Sequence, residues 1–118
     1  MNRIEKHIPT IIKILQEDYP SGKIPKVYNS YIAAFSTSVA MNGLIATVAL
    51  YEDMSKVKEN KTKGDRSYIT SLIMKVLTDR KDSLLKYILK NDEKKLKRKI
   101  LDIAIAFKLA IRTFELED

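Results

Sequence analysis

A side chain able to act as a general base near neutral pH is most often histidine, and this sequence has one, His7. Nothing around it supplies a nucleophile for it to activate, so it reads as a partly exposed helix residue. Glu52 and Asp53 are adjacent. On a helix, neighbours in sequence point in different directions, so this pair cannot easily share a metal. Glu115, Glu117 and Asp118 fall in the tail. Lys63, Gly64 and Asp65 form a turn and a cap rather than a glycine-rich phosphate loop. The chain has no cysteine, which excludes disulfides and thiolate metal sites. The sequence therefore offers no catalytic residue, no metal ligand set and no cofactor site.

The chemistry that is present is cationic. Lysine and arginine number 22 against 15 acids, a net charge of +7, which favours polyanions as partners. Lys94, Lys95, Lys97, Arg98 and Lys99 cluster at the expected start of the last helix. Lys56, Lys58, Lys61, Lys63 and Arg66 cluster in and after a polar loop, and Lys75, Arg80 and Lys81 near the end of the next helix. Such side chains neutralise phosphates and carry affinity without reading sequence. Solubility alone would produce similar clusters. Cations at a helix N-terminus, however, are opposed by the helix dipole, so Lys94, Lys95 and Lys97 point to a purpose other than helix stability. No aromatic platform accompanies the lysines, which favours backbone binding over base stacking. The candidate residues for binding a polyanion (RNA, DNA or an anionic surface) are Lys94, Lys95, Lys97, Arg98 and Lys99, with Lys61, Lys63 and Arg66 as a rival group.

These residues need elements to hold them. The 118 residues predict one domain, 1–118, with enough chain to bury a core. Three glycines and three prolines favour an all-α fold, a compact bundle of five to six helices around a central apolar helix. Ile4, Ile8, Ile11, Ile12 and Leu15 predict a helix over 3–17, either kinked at Pro9 or beginning there. Pro25 is expected to open the second helix. From Val27 to Tyr51 there is no charged residue. A break is expected near Ser36 to Ser38, where hydroxyls compete for backbone groups. The apolar run beyond it covers most of a helix circumference, so it is expected to be enclosed by protein. Gly43 would then serve close helix approach, and Asn42 would be a satisfied buried amide or a polar group at a junction. Helices are expected over 66–79, capped by Asp65, over 82–90, capped by Asp82, and from Asp92 to about Glu115. On the last, Leu101, Ile105 and Leu109 form a second apolar stripe, either interior or a subunit interface. No strand shows period-two alternation. Polar interruptions in the apolar run, and an N-terminus without a signal pattern, argue against a membrane and for a cytoplasmic protein.

Three segments resemble a known family. "NGLIATVALYEDM" (42–54), "VYNSYIAAF" (27–35) and "LDIAIAFKLAIRTFELED" (101–118) are similar, in order and spacing, to the small all-helical subunit of the Cmr complex, the type III-B CRISPR RNA-silencing effector. The resemblance implies a non-catalytic structural subunit in antiviral defence. It would stack on the backbone subunits, with copies of itself in a short filament, and help hold the guide RNA–target RNA duplex by its backbone. Leu101, Ile105 and Leu109 would dock on neighbouring subunits. The alternative is a free-standing helical DNA-binding regulator, which the pair 66–79 and 82–90 suggests by its tight junction. Its second helix is apolar, whereas a recognition helix carries base-reading side chains.

Overall fold

Pro9 decides where regular helix begins. Its missing N–H costs nothing in a first turn, and it sits in the first turn of α1 (Ile8–Asp18) after a short 3-10 turn at Glu5–His7. Of the two outcomes left open, a kink or a start, the computed structural model shows the start. It describes residues 2–53 and 65–117. After α1 the chain runs through β1 (Lys23–Pro25), α2 (Val27–Asn42), α3 (Leu44–Tyr51), α4 (Ser67–Thr78), α5 (Leu84–Leu89), α6 (Glu93–Ile111) and β2 (Glu115–Glu117). The all-α expectation holds: among the described residues, six α-helices form a bundle around one core cluster. None of them is long and apolar enough to cross a membrane.

The central position belongs to α6. It packs against α1, α2, α4 and α5 and buries Leu96, Ile100, Ile103, Phe107 and Ile111. Ala104, Ala106 and Ala110 are buried among them, and their short side chains leave room for close neighbours. The enclosure expected for the charge-free run is only half realised. Leu44, Thr47, Val48 and Tyr51 face inward, while Met41 is 78% exposed and Ile45 and Leu50 lie open on the outer side.

The break in that run falls at Gly43, not at Ser36 to Ser38. Gly43 adopts φ 91° and ψ 161°, a region essentially reserved for glycine. A Cβ there would meet nothing within 4 Å. The glycine therefore serves backbone angle, and the expected close helix approach is corrected. Ser38 does not break the helix. Its hydroxyl shares a 2.7 Å hydrogen bond with that of buried Thr47 across the corner. Asn42 is exposed rather than buried, with its amide donating to Ser38 Oγ at 3.4 Å. The Tyr51 hydroxyl donates to the Tyr31 carbonyl oxygen at 2.7 Å, tying the end of α3 back to α2.

Three further differences concern termini. Pro25 closes β1 instead of opening α2. The last helix stops at Ile111, and residues 115–117 form β2, which pairs parallel to β1 with Ile24 opposite Leu116. Nothing in the sequence pattern predicts these two three-residue strands. Lys26 N donates to Glu117 O at 2.8 Å and Glu115 N to Gly22 O at 3.1 Å, extending the pairing. At α5 the cap is Ser83, not Asp82. The Glu52 carboxylate reinforces it, accepting from Ser83 Oγ at 2.6 Å and from Leu84 N at 2.8 Å. The cap at Asp92 holds, its side chain accepting from Lys94 N at 3.0 Å. At α4 the capping position falls to Arg66, which makes no side-chain cap, and Asp65 stands one residue earlier, accepting from Ser67 N at 2.9 Å.

Gly43→Ala is expected to destabilise the protein by about 1–3 kcal/mol, the cost of forcing a side chain into that backbone region. Within a regular helix the same change would stabilise by roughly 1 kcal/mol. The sign of the shift in chemical denaturation decides between the two.

Candidate nucleic-acid interface

Lys94, Lys95, Arg98 and Lys99 recur at one- and four-residue steps, so they share one side of the first turns of α6. What orients that side is the core. Leu96 and Ile100 are buried on the other side, and any rotation of the helix would expose them. Asp92 as N-cap and Glu93 in the first turn offset part of the electrostatic cost of placing cations there.

Facing this wall is the N-terminal turn, which brings Arg3, Lys6 and His7. Asn2 fixes that turn, its Oδ1 accepting from Ile4 N at 2.9 Å and Glu5 N at 2.7 Å. Val76 and Leu77, from the end of α4, and Ile103 supply an apolar floor. The result is a cleft of about 660 Å³ lined by six cationic side chains and one carboxylate, Asp102. Low-dielectric walls focus such a field on an entering anion. Among the described residues no phenylalanine, tyrosine or tryptophan lines it, so it suits a phosphate backbone better than a stacked base.

Asp102 is the residue that sequence reasoning missed. It is buried, only 7% exposed, and its Oδ2 accepts from Arg3 Nε at 2.9 Å across 99 residues of chain. A signal was available: an acid interrupting an otherwise apolar stretch, "LDIAIAF", needs a partner when buried. His7 lies in the same cleft, and its pKa is pushed below the ordinary 6.5, first by partial burial and next by Lys6, with Asp102 opposing.

The remaining candidates lie elsewhere. Lys97 is exposed but does not line the cleft. Arg66 sits over the rings of Tyr31 and Tyr51, at 5.8 and 6.0 Å, beside a small pocket of about 110 Å³. Lys61 and Lys63, with Lys56 and Lys58, lie outside the described residues. Arg80 faces Asp82 at 3.7 Å and the Tyr87 ring at 5.9 Å. The second stripe of α6 is partly open, with Ile105 and Leu109 exposed and Leu101 half-buried. The helix thus takes the interior position, with this stripe on its outward side.

A family model described as CRISPR-associated protein (Cas_Cmr5) matches residues 2–108. Neither the curated proteins nor the solved structures yield a match.

The neutral form of His7 is the favoured one in the fold. A depressed pKa contributes stability that is complete above the unfolded value and drains as pH falls below it toward the folded value. The ring resonances of this single histidine should titrate below pH 6.5 in nuclear magnetic resonance. Between pH 7.5 and 5.5, roughly the window around a free imidazole, the wild type should lose more thermal stability than His7→Gln. An equal loss would show that His7 is not held neutral by the cleft.

Proposed function

We propose, from the premise that this chain belongs to the CRISPR-associated Cas_Cmr5 family and so is the small subunit of the Cmr effector, that it is a non-catalytic spacer which holds the guide RNA–target RNA duplex by its phosphates. The observation that carries this reading is the convergence of six cations from two ends of the chain on one cleft. Backbone neutralisation of this kind leaves sequence choice to base pairing, as in guide-directed recognition generally. The apolar residues on the outside support the second half of the reading, in which the subunit docks on its neighbours. Met41, Ile45, Leu50, Ile105 and Leu109 are all more than a third exposed, and uncharged surface of this kind is typical of a buried partner interface. The neighbours would be the backbone subunits of the effector and further copies of this chain in a short filament. The setting would be the cytoplasm, in antiviral defence.

The test has two parts. Co-expressed with the other effector subunits, the chain should co-purify with the assembly, and a chain that never joins it sinks the reading. For RNA, the quadruple variant Lys94→Ala, Lys95→Ala, Lys97→Ala, Arg98→Ala should bind duplex RNA more weakly whatever the sequence. Its dependence of log affinity on log salt should be shallower, by about 0.9 for each duplex phosphate that is no longer neutralised. Lys97→Ala alone should change less than Arg98→Ala, because only Arg98 lines the cleft. Unchanged RNA affinity across several salt concentrations would remove the cleft from RNA binding. A preference for duplex DNA would favour the regulator.

A further inference from the structure

We infer that Asp102 is a positioning residue, which holds the Arg3 guanidinium over the cleft so that its terminal nitrogens grip one RNA phosphodiester. This rests on the RNA-backbone reading of the cleft and adds to it a residue of opposite charge.

A carboxylate in a buried position must be paired and hydrogen-bonded, or it destabilises the fold. Asp102 occupies the third turn of α6, where a leucine or isoleucine would pack among its neighbours Leu101 and Ile103. It caps no helix. Its hydrogen bond goes to a side chain 99 residues away, and that side chain is itself 56% exposed while the Asp102 side chain is 10% exposed. Arg3 satisfies the buried carboxylate, but with one partner this open the pair adds less than a fully enclosed one. What it does add is direction. Arginine has a long, freely rotating stem, and Arg3 projects from the N-terminal turn. The bond runs through Nε and Arg3 lines the cleft, so the two terminal nitrogens remain for an anion that enters it. Those nitrogens form the planar fork that matches two phosphate oxygens. Across the cleft, Lys95 and Arg98 supply further cations for the same anion. Asp102 also offsets mutual repulsion among the six cations when no anion is bound.

The two accounts of Asp102 predict opposite signs. If the cleft works by net charge alone, Asp102→Asn makes it more positive and RNA binds more tightly. If Asp102 positions Arg3, the same change weakens binding despite the added charge. The measurement uses the full chain and a short RNA duplex of arbitrary sequence, titrated at fixed pH over several salt concentrations, with thermal stability followed in parallel. We expect Arg3→Gln and Asp102→Asn each to lose about tenfold in affinity, the worth of one charge-assisted hydrogen bond. The double variant should lose no more than Arg3→Gln, since the two residues act as one unit. Asp102→Asn that binds as tightly as the wild type, or more tightly, overturns the inference. Should Asp102→Asn fail to fold, Arg3→Lys decides on an exposed residue. It keeps the charge but removes the fork, so a wild-type affinity there overturns the inference and a loss similar to Arg3→Gln supports it. The pair Lys95→Gln, Arg98→Gln separates the two levels. If that pair loses binding while the Arg3 and Asp102 variants do not, the cleft binds RNA and the positioning role is wrong. If none of the variants changes binding, the RNA reading itself fails.

Discussion

The covering of α6 is the constraint on which the other features rest. A helix of 19 residues that packs against four others must bury more than one stripe, and α6 does so with large residues toward the core and alanines where neighbours approach. Each buried leucine, isoleucine or phenylalanine contributes about 1.5–3 kcal/mol by removing apolar surface from water. Those contributions lock the rotation of the helix about its axis. Once rotation is set, the direction of every cation in its first turns is set too. The orientation of the basic wall is therefore a consequence of hydrophobic packing spread over roughly twenty ångströms of the same element, from Leu96 to Ile111, at about 1.5 Å of rise per residue.

The cleft runs against local preferences in several ways at once. Lysines crowd a helix N-terminus, a carboxylate is buried, and a histidine is held away from its charged form. Each of these is unfavourable by itself, and the surroundings offset part of the cost. Asp92 and Glu93 answer the dipole, Arg3 answers Asp102, and the neutral ring of His7 avoids adding a seventh cation. Natural proteins break local rules mainly where function requires it, and here the violations gather around one opening. By contrast the tyrosine cluster elsewhere obeys the rules. Tyr28 stacks on Tyr68 at 4.6 Å, and Tyr19 meets both edge-on. The Tyr68 hydroxyl donates to Asp18 at 2.7 Å, and burial raises the pKa values of all three. That cluster knits α1, α2 and α4 together and leaves its hydroxyls satisfied.

The helical content and most helix starts are legible in the primary structure. Ile69, Leu72 and Ile73 announce α4, and Asp92 announces the start of α6, because capping and 3.6-residue periodicity act over a few residues. The strands are not legible. A three-residue strand has no period to detect, and the partner of Ile24 is Leu116, more than ninety residues later. Gly43 stands out in the sequence, yet its meaning depends on a backbone angle that no local pattern specifies. Ser83 prevails over Asp82 as a cap because Glu52, from the end of a distant helix, reaches the same N-terminus. Of the candidate site, one wall is legible as the cluster 94–99. The other wall is not, since Arg3, Lys6 and His7 look like ordinary surface residues until the turn that carries them is folded against α6.

What the sequence alone determined is what depends on near neighbours: the helices, their apolar faces, the excess of positive charge, and the family to which residues 2–108 belong. What only the tertiary structure decided is which charges meet. Four of the five cations in the α6 cluster share the cleft, Arg66 is given to tyrosine rings instead, and Asp102 finds Arg3. The physical reason is range. Hydrogen-bonded helix formation is settled within a turn or two, whereas an electrostatic field belongs to the whole arrangement of charges and exists only once the chain is packed.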